Sequence, residues 1–413
     1  MSDLIVRMSG QSCGLLSQSK TGNLTFSYFE SYPPDSTPIS LAMPVGATSY
    51  SKAKVLPFLE GLLPDNQSAL AAIGRNFGVS PNNPFALLSH IGADVAGALT
   101  FHHPDLIPDR TPSQKLTASA VRQLLENRIS GYSSGIPIGE LGWFSLAGAQ
   151  PKLALLRGVD GQWSLPGTDT PSSHILKPVP QALPDLDLLE LVTMRVASKL
   201  GLEVANTSVE DISGLSVLIS ERFDRRQVGG KTERVHQEDF CQALSRTPKR
   251  KYQKHGGGPG IKAIGGLIKS LPQNSRKQIA DAFFRALAFN VLVRAPDAHA
   301  KNYSLLLEGT AVRLAPLYDL ISGVAFPSDL DSAMSIGGQY RFSSITKTGL
   351  VQEGIGLGVD SPDLIIAEIL AGFTKALQEA VLNLEKELPQ ESFQKVELIA
   401  KTLGDHAAKP WGN

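Results

Sequence analysis

Asp297, His299, Lys301 and Asn302 crowd the stretch RAPDAHAKNYSL (294–305), directly after an apolar run with helical periodicity. Four polar side chains at that point allow three readings: a solvated turn, a metal site or a catalytic centre. The sequence beyond, YSLLLEGTAVRLAPLYD, has the pattern of a hairpin in which 303–307 runs out, Glu308 to Ala311 turns and 312–317 returns. Its return strand brings Tyr318 and Asp319 back beside Asp297 and Asn302. Two carboxylates and a carboxamide that converge in this way suit phosphoryl transfer. One Asp orients an acceptor hydroxyl and takes its proton, the Asn of a D-x-x-x-x-N spacing holds Mg²⁺, and a later Asp chelates the same ion. Mg²⁺ prefers hard oxygen ligands of this kind.

The rival chemistry is a metallohydrolase with Asp297, His299 and Asp319 as ligands to a transition metal. It needs further His or carboxylate ligands at telling spacing, and no H-x-H or H-E-x-x-H occurs among the eight histidines. In the plainest reading Asp297 caps a turn, Asn302 opens a strand and both are merely solvated.

Phosphoryl transfer also requires groups that hold a nucleotide. Lys177 ends the strand-like SSHILK, and Glu190 follows on the apolar helical stretch LDLLELVTMRVASKL. A Lys–Glu pair between a strand and a helix would fix an ammonium near phosphate oxygens. Upstream, SLAGAQPK (145–152) links two strands through small residues, so backbone amides can approach phosphates closely, although it lacks the three glycines of G-x-G-x-x-G. In SITKTG (344–349) the S-x-x-K and K-T-G motifs share one lysine and so cannot face each other across a cleft, while the glycine clusters GIGLG (354–358) and GGGPG (256–260) lack the context and acidic partner of a dinucleotide fold and are read as loops.

The elements that must position these groups fall into a strand-rich part and a helix-rich part. DLIVRM and NLTFSYF alternate apolar and polar residues, followed by helical stretches at 51–63 and 83–91 and a short strand near 96–102. HPDLIPDRTPSQ (103–114) has three prolines and no apolar period, which marks a domain boundary. WFSL, KLALLR, SSHILK and SVLISERFD then read as strands around a helix at 185–200. After 236 the pattern turns helical, at 237–245, 259–270, 274–293 and 362–386. RTPKRKYQKHGGG (246–258) is a basic, glycine-rich loop.

A chain of 413 residues that is 42% hydrophobic and 19% charged is globular, with room for two or three domains. Its 39 basic and 39 acidic residues cancel, so no global field recruits nucleic acid or an anionic membrane. Two cysteines, Cys13 and Cys241, cannot build a disulfide framework and fit a reducing cytoplasm. No signal peptide is read at the N-terminus, and no run approaches the ~18 apolar residues of a membrane helix.

Nine pieces, in order, resemble the HipA-type serine/threonine kinases, toxins of bacterial toxin–antitoxin pairs. They are GLLPDN (61–66), NPFALLSHIGADVAGAL (83–99), SLAGAQPK, HILKP (174–178), ERFDRR (221–226), HQEDFCQAL (236–244), GGPGI (257–261), DAHAKN (297–302) and APLYDLIS (315–322). The resemblance implies an α+β fold: a kinase-like bilobed core, β-rich in its N-lobe and all-helical in its C-lobe, behind a small β-rich N-terminal subdomain. The expected domains are 1–110, 111–235 and 236–413. It makes Asp297 the catalytic aspartate and gives Mg²⁺ to Asn302 and Asp319. Lys177 would contact ATP phosphates, and Leu146, Ala147, Gly148, Ala149 and Gln150 would line the triphosphate with Lys152. Glu221 and Phe223 would lie near adenine, with Gln237, His299 and Tyr318 around the nucleotide. Ser145 matches the serine that such kinases phosphorylate on themselves. The implied partners are a protein target in translation such as an aminoacyl-tRNA synthetase, and a small HipB-like helix-turn-helix antitoxin that carries the complex to operator DNA. Pro151 and the strongly basic 246–254 stretch depart from the family's pattern.

Overall fold

A computed structural model describes residues 2–105, 111–134, 150–167, 170–180, 182–326, 328–408 and 411. The chain divides into two compact units. The first comprises Met1–Pro178, Glu210–Pro248 and Leu306–Ala311, and the second comprises Val179–Val209, Lys249–Leu305 and Val312–Asn413.

The first unit opens on a five-stranded antiparallel sheet ordered Tyr50–Ser51, Leu24–Tyr28, Gln11–Gln18, Ser2–Met8 and Leu99–His102. Alternation fixes its buried face. Leu4, Val6, Leu16, Leu24 and Phe26 point into a core closed by Phe58, Leu59 and Leu62 from helix Lys52–Gly61 and the residue that caps it. Burying each such side chain is worth about 1.5–3 kcal/mol. A second antiparallel sheet places Ser216–Glu221, His174–Pro178, Leu153–Arg157, Trp163–Leu165 and Gln114–Lys115 side by side. It buries Leu153, Leu155, Leu176, Val217 and Ile219 against Val121 and Leu125 of helix Ala118–Ser134.

The second unit is built mainly of helices, Leu186–Lys199, Ile261–Ser270, Gln273–Leu292, Lys347–Leu357, Pro362–Glu387 and Gln390–Ala407. It is not wholly helical. The antiparallel pair Asp331–Ile336 and Gln339–Arg341 also belongs to it. The double glycine Gly337–Gly338, with both φ angles positive, turns that chain back on itself where a helix cannot.

One expected helix changes character. The apolar pattern predicts a helix over 237–245, but His236–Asp239 is a strand and the helix begins only at Phe240. The Asp239 side chain accepts from the Gln242 amide at 2.8 Å while Gln242 returns its carbonyl to the Asp239 amide at 3.0 Å. This capping box starts the helix at that point.

Candidate active site

The long helix Gln273–Leu292 stops in a way that delivers Asp297. Arg294 takes a left-handed backbone, with φ of 50°. Its amide donates to the Val291 carbonyl at 3.1 Å, and the Ala295 amide to that of Asn290 at 2.8 Å. This is a Schellman termination with arginine in the place usually held by glycine. Pro296 cannot continue a helix, so the chain leaves the core at Asp297.

The next turn is pinned through the Asp297 carbonyl. It accepts from the His299 amide and from Asn302 Nδ2, both at 2.8 Å, while the Asn302 amide donates to the His299 carbonyl at 2.9 Å. With its amide nitrogen engaged, the Asn302 side chain keeps its oxygen for a cation. The expected hairpin follows as Ser304–Glu308 and Ala311–Leu314, and the Ala315 amide closes its open end on the Ser304 carbonyl at 2.8 Å. Leu317 exchanges backbone bonds of 2.8 Å with Glu203 and Ala205. The Tyr318 hydroxyl meets Ser304 Oγ at 2.7 Å and donates to the Lys301 carbonyl at 2.9 Å. Asp319 comes next in a left-handed conformation, with φ of 54°. Non-glycine residues held there concentrate at functional sites.

Asp297, Asn302, Tyr318 and Asp319 therefore line one pocket, together with Asn290 and Tyr303. Asn290 is buried. Its Nδ2 donates to the Tyr303 hydroxyl at 2.7 Å, whereas its Oδ1 has no partner among the described residues. Asn290 thus adds to the pocket wall a buried acceptor with no partner among the described residues, a group that no spacing argument singles out. His299 is buried beside Asp297, its Nε2 3.6 Å from Oδ1. Burial pushes this imidazole down to about 4, so the ring is neutral at pH 7. Neither ring nitrogen has a hydrogen-bond partner among the described residues. A residue the sequence reading passed over also reaches the site: Tyr252, in the basic loop, donates its hydroxyl to Asp297 Oδ1.

Mg²⁺ fits this donor set. It binds through one or two carboxylates, keeps waters and takes substrate phosphates, so one carboxamide oxygen and one carboxylate are a sufficient protein share. The described residues contain no group of three His, Cys, Asp or Glu placed to hold a metal, so the ligand set a metallohydrolase requires is not assembled among them.

Most of the remaining expected residues that the structure describes lie in the first unit. Lys177 is buried on strand His174–Pro178, opposite Leu218, and Glu221 is exposed at the end of the partner strand. Gln150 Nε2 donates to the Pro178 carbonyl at 3.5 Å. Gln237 Nε2 donates to Asp224 at 2.9 Å. Lys152 and Phe223 complete this set, while Glu190, buried on helix Leu186–Lys199, belongs to the second unit. Ser145 and Leu146, Ala147, Gly148 and Ala149 lie outside the described residues.

Residues 4–102 match the family model of the HipA N-terminal domain, and residues 144–379 match that of the HipA-like C-terminal domain. The chain belongs to the HipA family. It is 32% identical over 393 residues to the serine/threonine-protein kinase toxin HipA of Shewanella oneidensis, covering 91% of this chain and 89% of that protein. It is 35% identical over 373 residues to Y4mE of Sinorhizobium fredii, which carries a kinase name, with 86% of each chain covered. HipA in the Shewanella oneidensis complex of HipA, HipB and operator DNA superimposes with a TM-score of 0.80 at 26% identity, over 98% of this chain and 97% of that one. The α+β, kinase-like fold read from the nine motifs is the fold of this HipA family member. No helix among the described residues is long and apolar enough to cross a membrane.

Proposed function

We propose that the protein is an ATP- and Mg²⁺-dependent kinase that phosphorylates a serine of a protein target and acts as a growth-inhibiting toxin. The observation that carries this reading is the convergence of Asp297, Asn302 and Asp319 on one pocket, with the Asn302 amide tied to the Asp297 carbonyl. In the proposed reaction the acceptor oxygen bonds to the γ-phosphorus as the bond from that phosphorus to ADP breaks. The hydroxyl proton passes to Asp297. Asn302 and Asp319 would hold Mg²⁺, which when bound neutralises charge on the phosphate oxygens. Lys177, held on a strand of the first unit, is assigned to the ATP phosphates with Gln150, Lys152 and the 146–149 loop. Glu221, Phe223, Gln237, His299 and Tyr318 are assigned to the nucleotide, and Ser145 to self-phosphorylation.

The proposed setting is the cytoplasm. A target in translation, such as an aminoacyl-tRNA synthetase, and a HipB-like antitoxin that bears the DNA contacts complete the proposal. A relative solved with HipB and its operator DNA supports the second partner. The neutral charge balance agrees with a chain that leaves DNA contact to an antitoxin.

The test is incubation with γ-labelled ATP, Mg²⁺ and cell lysate, wild type beside Asp297→Ala. Label transfer that needs Asp297 supports the reading, and transfer that survives in the variant removes Asp297 from its role. No transfer by either protein favours a non-catalytic regulator that works through antitoxin binding. Mass spectrometry of Ser145 after incubation with ATP tests self-phosphorylation separately, and an unmodified serine under every ATP condition ends that assignment.

A further inference from the structure

The basic loop, unexplained by its charge, is a built turn that presents one side chain to the catalytic aspartate. The Gly258 amide donates to the Tyr252 carbonyl at 3.1 Å, and the Gly257 amide to that of Gln253 at 3.2 Å. A Cβ on Gly258 would meet the Arg250 carbonyl oxygen at 2.1 Å, so the fold-back requires glycine there. Gln253 Oε1 accepts from the Ser335 amide at 2.7 Å, and Lys254 pairs with Asp331, which ties the turn to strand Asp331–Ile336. Two bonds within the turn and two to that strand thus fix the chain from Tyr252 to Gly258.

The consequence lies at Asp297 Oδ1. The Tyr252 hydroxyl donates to that oxygen, while its ring meets His299 edge-on, with centroids 4.9 Å apart. A serine hydroxyl about to be phosphorylated must make the same hydrogen bond to the same carboxylate, within about 2.6–3.2 Å. A serine that approaches Oδ1 competes with the phenol for that oxygen. The buried His299 ring, with no hydrogen-bond partner for either nitrogen among the described residues, is roofed by the tyrosine while it stays there.

We propose that Tyr252 is a resident stand-in for the acceptor hydroxyl on Asp297 Oδ1, which a substrate serine that uses this oxygen must displace and which keeps water off it until then. The inference rests on the kinase reading above and adds a determinant of acceptor choice. Only an acceptor that gains more in binding than the tyrosine loses by leaving will be phosphorylated. Water, with no other contacts to offer, competes poorly for Oδ1.

The experiment uses the full chain with ATP and Mg²⁺ and measures phosphate release, in which water is the acceptor. Tyr252→Phe keeps the ring over His299 and removes the competing hydroxyl. Phosphate release should rise roughly tenfold, since a hydrogen bond to a charged group is worth at least that factor. The KM for ATP should stay unchanged. Gly258→Ala displaces the turn without touching the phenol and should raise phosphate release in the same direction. A merely supporting role for Tyr252 predicts the opposite, a fall in turnover. Release in Tyr252→Phe at or below the wild-type rate, with Asp297→Ala silent, overturns the stand-in and leaves the kinase intact. Phosphotyrosine at Tyr252 overturns it too, because the ring would then be an acceptor rather than a blocker. ATP turnover in the wild type that Asp297→Ala does not abolish sinks the kinase reading and this inference together.

Discussion

Two groups of carboxylates divide the chemistry of this chain between them. In the first unit, Asp94 and Asp224 are buried among three arginines. Arg222 reaches Asp224 at 2.8 Å, Arg225 reaches Asp94 at 2.7 Å and Asp224 at 3.2 Å, and Arg234 stands 3.5 Å from Asp94. Ser172 donates twice to Asp94, at 2.6 and 2.9 Å, and the Gly97 amide donates to Asp224 at 2.6 Å. Burial alone would raise these carboxyls, but the guanidinium groups outweigh it and hold both below the usual range. Burial also pulls Arg225 down to about 10, which leaves it charged at neutral pH. In the second unit, Asp297 stands with 48% of its side chain exposed, beside a neutral histidine and under one tyrosine hydroxyl. A carboxylate saturated with cationic donors is fixed in structure and unavailable for proton transfer. One with a displaceable partner is free to change partners.

The sharpest way to break this contrast is to remove one carboxylate from each group. Asp297→Ala should lower phosphoryl transfer by about 10³-fold, within the range for a lost general base, and leave the unfolding midpoint unchanged. Asp224→Ala should cost about 3–5 kcal/mol in denaturant unfolding, because it strands buried guanidinium charge. Loss of stability in the first variant, or none in the second, would erase the distinction. A smaller effect is expected at Asn302. Asn302→Asp keeps a hard oxygen but removes the amide that ties it to the Asp297 carbonyl. Turnover should fall about 10²-fold through misplacement, with partial recovery at raised Mg²⁺. Full activity would show that this tie positions nothing.

The exposed half of the contrast is largely legible in the sequence. The D-x-x-x-x-N spacing and the alternation of 303–317 were enough to place Asp297, Asn302 and Asp319 together, because both are local patterns. The ion network was not legible. ERFDRR was singled out as a motif, yet nothing in its composition says which charges are buried, and its acidic partner Asp94 lies far away in sequence. Tyr252 escaped for a related reason. Its loop was read by net charge, whereas its role depends on a fold-back set by Gly258. The pattern also gives no sign of helices Gln67–Phe77, Ala118–Ser134 and Gln390–Ala407, and GIGLG, read as a loop, instead supplies the last turn of helix Lys347–Leu357; Asn66 caps the first of these helices and Thr346 the last-named. The strand at 236–239 reads as the start of a helix because its four residues alternate too briefly to outweigh the apolar run after them.

That short strand supplies a third kind of carboxylate, buried with no cationic partner among the described residues, and the mildest expected effect. Glu238 accepts from Ser40 Oγ at 2.6 Å and from the Leu41 amide at 2.7 Å, and burial pushes it up from 4.5 to about 8. Between those values the folded chain keeps a proton that the unfolded chain has released. The stability this proton contributes is complete below pH 4.5 and is lost as pH rises through 8. His236, on the same strand, runs the other way. Burial lowers it from 6.5 to about 4, so it destabilises the fold only as pH falls through that window. From pH 6.5 to 8 the Glu238 contribution therefore acts without opposition from His236. Glu238→Gln has no proton to lose and can still accept from Leu41. Its unfolding midpoint should decline less than that of the wild type from pH 6.5 to 8. At pH 8 it should stand about 2–4 °C higher for each kcal/mol relieved. Parallel midpoint curves for the two proteins would show that Glu238 is already ionised in the fold. It would then belong with Asp94 and Asp224 as a charge held by its donors.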